Sequence, residues 1–242
     1  MRGRTLLLLA TTMALVLALV AGCGGGGGQP QQQEAAEQRE RNPQPQQEEQ
    51  ANARTIPEKR PGEAHRLLPG RYTTEEFNPA LSFSLEGRGW SWAGPETQDS
   101  FPIGWMAYPA HIYFMNVEQV YDPNNLKKKI AAPDDMVAWL QNHPHLDAES
   151  PKQVKVGGVS GKQFDVLGTH ELTPLFSVDA AYKNKLGPYK GWILRLTILD
   201  DVEGEAVIIA FEGPKEWEGE QSMDDFGPRA QKVLDTVEWK GE

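Results

Sequence analysis

Trp192-Ile193-Leu194-Arg195-Leu196-Thr197-Ile198-Leu199 and Ala206-Val207-Ile208-Ile209-Ala210-Phe211 are two apolar, β-branched runs separated by Asp200-Asp201-Val202-Glu203-Gly204-Glu205. Runs of this length and composition predict strands, and the polar interval between them predicts a hairpin with the acids at its tip. A sheet is therefore the centre of the fold.

Upstream of the hairpin, residues 154–156 and 162–167 predict a second hairpin through Gly157-Gly158-Val159-Ser160-Gly161. Leu81, Phe83 and Leu85 alternate with small or polar residues, which predicts a half-buried strand. Leu67-Leu68-Pro69-Gly70 is an opening turn before that strand, and Glu86-Gly87-Arg88-Gly89 is a turn after it. Trp90-Ser91-Trp92 resumes as a strand with both indoles on one face, and residues 103–108 and 111–115 predict two more strands around Pro109. A helix is expected to start near Pro133, with Asp134 and Asp135 in its first turn and Met136, Val137, Trp139 and Leu140 on its apolar side. It ends at residues 142–144. A last helix is expected over 223–235, with Ser222 as N-cap, Asp224 and Asp225 in the first turn and Pro228 early enough to be tolerated. Phe226, Ala230, Val233, Leu234 and Val237 line one side of it, and Val237-Glu238-Trp239 leaves as a short strand or extended tail. Strands and two amphipathic helices in this order make an α+β domain over residues 67–242.

Three stretches carry a family resemblance. Phe77-x-Pro79-x-Leu81-Ser82-Phe83-x-Leu85 with Gly89-Trp90, and the closing Ala230-x-x-Val233-Leu234-Asp235-Thr236-Val237-x-Trp239, resemble the opening and end of PsbP-like domains. Pro133-Asp134-Asp135-x-Val137-x-Trp139-Leu140 with Val156-Gly157-Gly158 resembles the middle of tethered bacterial lipoproteins of that pattern. The resemblance covers about residues 70–242 and implies an α/β/α sandwich around a mainly antiparallel sheet. It implies no catalytic residues, and a role in photosynthesis does not carry over. The extra Arg and Gly at residues 87–89 and the acidity of 212–221 depart from the pattern.

The N-terminal end reads as an address. Arg2 and Arg4 precede an apolar run from Leu6 to Ala21, and Leu19-Val20-Ala21-Gly22-Cys23 looks like a bacterial lipobox. The run is shorter than the roughly 20 apolar residues a membrane span needs. Residues 1–22 are thus expected to be a signal peptide, and Cys23, the one cysteine of the chain, the lipidation site. Residues 23–66 follow as a Gly-, Gln-, Glu- and Pro-rich tether with hardly an apolar side chain to bury, which is expected to be disordered. A flexible segment of that length spans roughly 35–40 Å. A short helix over 47–54 is a weaker alternative for part of it.

Charge and chemistry narrow the function. The chain carries a net charge of −10, and residues 67–242 carry 16 bases against 27 acids, hence −11. That balance argues against nucleic acid and anionic lipid surfaces as partners. Gly157 to Lys162 resembles a phosphate loop, but it is one residue short, has Gln163 in place of Ser or Thr and sits in a hairpin, so it reads as a turn. His143-Pro144-His145-Leu146-Asp147 offers two imidazoles and a carboxylate at a spacing unlike that of zinc sites. Its ordinary reading is a helix end, with His143 at the negative end of the dipole. His111 and His170 stand alone and read as core or surface polar positions. Asp200, Asp201, Glu203 and Glu205 lack the twelve-residue calcium-loop pattern and read as a solvated tip. No Gly-x-Ser-x-Gly elbow is present, and no Ser, His and Asp set announces a triad. Most of the seven Trp read as core aromatics, with Trp217 in Glu216-Trp217-Glu218 expected to be exposed.

Cys23 is thus the only site residue assigned, with no catalytic residue, cofactor or metal. The expected protein is a monomeric, non-enzymatic binding or accessory module. It is held on the extracytoplasmic face of the cell membrane by a lipid on Cys23 and meets an envelope protein or ligand. A small-molecule-binding lipoprotein and an extracytoplasmic hydrolase remain open as alternatives.

Overall fold

The computed structural model describes residues 53–55, 66–105, 110–180, 183–215 and 222–241. The signal segment, Cys23, most of the tether and Trp217 lie outside the described residues. In chain order the elements are β1 (Arg54–Thr55), β2 (Gly70–Thr73), β3 (Leu81–Leu85), β4 (Trp90–Trp92), β5 (Ser100–Trp105), β6 (Ala110–Asn116), β7 (Gln119–Asp122), β8 (Asn125–Ala131) and α1 (Met136–Gln141). There follow β9 (Leu146–Ala148), β10 (Lys152–Val156), β11 (Val159–Gly168), β12 (Phe176–Ala180), β13 (Lys183–Leu186), β14 (Trp192–Val202), β15 (Glu205–Pro214), α2 (Met223–Leu234) and β16 (Glu238–Trp239).

The described strands form three open sheets, and the fold is α+β. The large central sheet runs β10-β11-β14-β15-β6-β5-β4, with β9 also paired to β11. Its pairs are antiparallel. The β14–β15 hairpin predicted from sequence lies at its middle, with Leu196 opposite Ala210 and Ile198 opposite Ile208. Both strands run further than expected, to Val202 and from Glu205, so the turn is Glu203-Gly204 alone, with φ of 56° and 93°. Such left-handed pairs match the twist of two-residue hairpins. Gly157 and Gly158, with φ of 56° and 83°, do the same between β10 and β11, so Gly157 to Lys162 is a turn running into a strand.

Each face of the central sheet carries one helix and one small sheet. On one side Trp90, Ile103, Ile112, Phe114, Ile209 and Phe211 pack under α2 and under the β1-β2-β3-β16 sheet. A run of ring contacts, Tyr72–Phe83 at 5.8 Å, Phe83–Phe101 at 5.5 Å and Phe101–Phe114 at 5.6 Å, ties that layer together. Each such pair adds about 0.5–1.5 kcal/mol beyond area burial. On the other side Tyr113, Met115, Leu194, Leu196 and Ile208 pack under α1 and the β13-β12-β7-β8 sheet. Alternation along single strands, Tyr113 one way and Ile112 and Phe114 the other, feeds both layers.

α2 forms as read from sequence, with Ser222 Oγ accepting the Asp225 amide N–H and Asp224 and Asp225 in the first turn. α1 is shorter than expected. Asp135 is its N-cap, its side chain accepting the Ala138 N–H at 2.9 Å, so Pro133 and Asp134 precede the helix. A capping carboxylate satisfies an otherwise orphaned donor, which fixes the start at Met136. Arg54 and Thr55, in the stretch read as tether, lie parallel to Tyr72 and Thr73 of β2. Among the described residues no helix is long and apolar enough to cross a membrane.

Candidate functional site

A polar groove of about 490 Å³ opens where the central sheet hands over to the β7–β8 hairpin. The backbone builds it: Asn116 ends β6, Gln119 begins β7, and the corner between them is held by Asn116 N–H to Asp99 O at 2.9 Å and Ala132 N–H to Glu118 O at 2.8 Å. Lys129 of β8 and Ser177 of β12 close the opposite wall, joined by a 2.9 Å hydrogen bond from Nζ to Oγ. An adjoining cavity of about 280 Å³ shares Asp99, Asn116, Val117 and Glu118 with the groove and reaches Glu205 of β15. The groove lies within the roughly 300–1,000 Å³ usual for ligand sites.

Asn116 lines both cavities. The Nδ2 group donates to Asn78 O and to Gln98 O, the latter at 3.4 Å. Two carbonyls on one side hold the amide nitrogen there and turn Oδ1 the other way, where it is buried without a hydrogen-bond partner. Asp99, Glu118 and Glu205 add carboxylates, against Lys129 as the one cation among the described lining residues, which also lies 5.8 Å from the Tyr121 ring centroid. The carboxylates make the described lining acidic. No histidine or cysteine is among its described lining residues.

The structure joins two histidines that the sequence leaves isolated to other residues. His111 Nδ1 lies 3.3 Å from Glu212 Oε1, which also accepts the Tyr113 hydroxyl at 3.0 Å. Glu212 is fully buried and His111 is 3 % exposed. Ser91, Gly104, His111 and Glu212 stand opposite one another across β4, β5, β6 and β15. A β-carbon on Gly104 would come 3.1 Å from Ser91 Oγ and 3.4 Å from His111 Nε2. The glycine thus leaves room for these two side chains to lean over β5. The sequence does not single out Glu212. Its place after Ile208 and Ala210 at period two puts it on the Tyr113 face, a signal visible once β15 is extended past Phe211.

His170, also read as isolated, packs against His145 with ring centroids 4.4 Å apart, and His145 against His143 at 5.7 Å. Trp139 of α1 meets His143 edge-on at 5.2 Å. His143 is 4 % exposed, and burial, then the neighbouring His145, lowers its pKa from 6.5 to about 4. Asp147 is exposed on β9, opposite Leu167, and belongs to no described metal cluster. Asp200, Asp201, Glu203 and Glu205 are exposed at the hairpin tip, where Asp201 accepts the Gly204 N–H at 2.9 Å. Trp90, Trp92 and Trp105 are buried, while Trp139, Trp192 and Trp239 are half-buried.

No protein family matches the chain, and no curated protein does. Among solved structures it is similar to the crystal structure of LpqN, involved in cell envelope biogenesis of Mycobacterium tuberculosis. The two are 9 % identical, the similarity covers 74 % of this chain and 91 % of that one, and the TM-score is 0.30. A likeness this slight carries neither fold detail nor function across.

Proposed function

We propose that the chain is a lipid-anchored module on the extracytoplasmic face of the cell membrane. In this reading the groove at the β6–β7 corner binds a cationic, donor-rich group of an envelope component without turnover. The observation that carries the reading is the run of carboxylates Asp99, Glu118 and Glu205 along the groove and its adjoining cavity. The net charge of −11 over residues 67–242 supports it by steering cations toward the domain. The lipobox ending in Cys23 and the spacer of 23–66 supply the anchor, and tethering raises local concentration so that a weak contact suffices. The PsbP-like kinship belongs to the same reading and rests on the sequence motifs. A small-molecule-binding lipoprotein is the second reading, favoured by the 490 Å³ volume.

The test is retention of envelope extract on the immobilised full chain at two salt concentrations, beside an Asp99→Asn/Glu118→Gln variant and a hydrolase substrate panel. A partner held at low salt, weakened at high salt and lost in the variant supports the proposal. Turnover that disappears when a single Ser, His or Asp is replaced overturns it.

A further inference from the structure

A smaller cavity of about 180 Å³ lies beside α2 and shares no described lining residue with the groove. Its aromatic walls are Trp90 of β4 and Trp105 of β5, which meet edge to face with ring centroids 4.9 Å apart. The register of β4 and β5 sets these two residues opposite each other. α2 supplies Arg229 and Lys232, three residues apart and therefore on one side of the helix. Glu86, in the turn after β3, is the acid among the described lining residues. Two bases to one acid reverses the balance of the domain, whose net charge is −11.

The two indoles differ in one respect. Trp90 Nε1 donates to Glu86 O at 3.0 Å, so its hydrogen bond is made. Trp105 is 3 % exposed, and its Nε1 is buried with no hydrogen-bond partner. An indole nitrogen only donates, so only an acceptor can satisfy it. Native proteins leave few buried polar groups in that state. The Arg229 guanidinium sits 4.7 Å from the centroid of the same Trp105 ring, which brings a cation to the side chain that holds the orphaned donor. Stacking on the indole accounts for Arg229, and the negative end of the α2 dipole accounts for Lys232. Neither accounts for an unmet N–H on a residue of the cavity wall.

We propose that this cavity binds a carboxylate carried on an apolar body, with Trp105 Nε1–H, Arg229 and Lys232 as its donors. The carboxylate brings the acceptor that the indole lacks, and an ionised acceptor makes the stronger bond. One negative charge balances two bases set against Glu86. Trp90, Trp105 and Val233 offer the body an apolar surface. The volume is below the roughly 300–1,000 Å³ of drug-sized sites, which suits the end of a chain rather than a whole cofactor. A short acyl chain and the C-terminal residue of a peptide share this chemistry.

The experiment follows the Trp105 indole proton by NMR in the isotope-labelled full chain held in a neutral detergent, its resonance assigned through the Trp105 backbone amide. Hexanoate and N-acetylleucine are the two probes, titrated beside hexanol and N-acetylleucine amide, which lack the charge. The expected result is a saturable downfield shift of that proton with a carboxylate, and the tighter of the two acids identifies an acyl or a peptide source. The neutral counterparts should bind at least tenfold more weakly. Arg229→Gln/Lys232→Gln, at a half-buried and an exposed position, should weaken the acid at least tenfold while the other indole resonances stay in place. No shift with either acid, equal affinity for an acid and its neutral counterpart, or equal affinity in the double variant overturns the proposal.

Discussion

The Trp239 indole stands where a side chain on Gly157 would have to go. A β-carbon at Gly157 would meet Trp239 Cδ1 at 2.5 Å, while Trp239 Nε1 donates to Val156 O at 3.0 Å. The last strand is thereby latched to the β10–β11 turn. Gly157 also has φ of 56°, which an alanine adopts at a cost of about 1 kcal/mol. Gly157→Ala should therefore destabilise by more than that cost alone, with a change in Trp239 emission. Denaturant unfolding of Gly157→Ala beside Trp239→Phe checks this, and two unaffected midpoints would refute the latch.

The Asp165 and Arg195 side chains, opposite each other on β11 and β14, form a two-pronged ion pair at 2.7 and 2.8 Å. The hydrogen bond to Asp165 raises the Arg195 pKa. Because the pair is partly screened by solvent, Asp165→Asn is expected to cost about 1–2 kcal/mol rather than the larger loss of a fully buried pair. Urea unfolding measures it.

Ser222→Ala removes the side-chain cap of α2: the Asp225 N–H keeps only Ser222 O at 3.2 Å, and Asp225 Oδ2 loses the hydroxyl that donates to it at 2.8 Å. The expected loss is about 0.5–2 kcal/mol, and Ser222→Thr, which keeps the hydroxyl, should restore most of it. Thermal melts of the two variants give the comparison.

The lowered pKa of His143 makes stability depend on acid. The unfolded chain takes up this proton near 6.5 and the folded chain near 4, so the contribution is complete above about 6.5 and is lost as pH falls toward 4. One proton gives a slope approaching ~1.4 kcal/mol per pH unit in that window. Unfolding of the protein at several pH values should show a slope that His143→Phe reduces. Titration of the His143 ring near 6.5 by NMR would contradict the burial argument.

What could be read from the sequence follows from how local each signal is. The β14–β15 hairpin, the β10–β11 turn and the Ser222-capped helix announce themselves within a few residues through period, glycine pair and cap. β8 gives no such signal, because Lys127, Lys128 and Lys129 are exposed on an edge strand, where lysine blunts unwanted pairing. The His111–Glu212 contact joins residues 101 apart and exists only through the register of β6 and β15. The histidine cluster likewise needs Gly168 opposite Leu146 to bring residue 170 beside residue 145. The groove was illegible for the same reason. Asn116 is an ordinary polar residue at a strand end until the Asn78 and Gln98 carbonyls hold its amide nitrogen.

The groove is the centre of the account, and site-directed photo-cross-linking in intact cells tests it most directly. A photoreactive residue replaces the exposed Gln119 in the groove wall or, as control, the exposed Lys152 on β10. One envelope adduct is expected from position 119, none from 152, and loss of the adduct in the Asp99→Asn/Glu118→Gln variant. An adduct of equal yield from position 152, or one from 119 that survives Asp99→Asn/Glu118→Gln, would contradict the groove as the binding site.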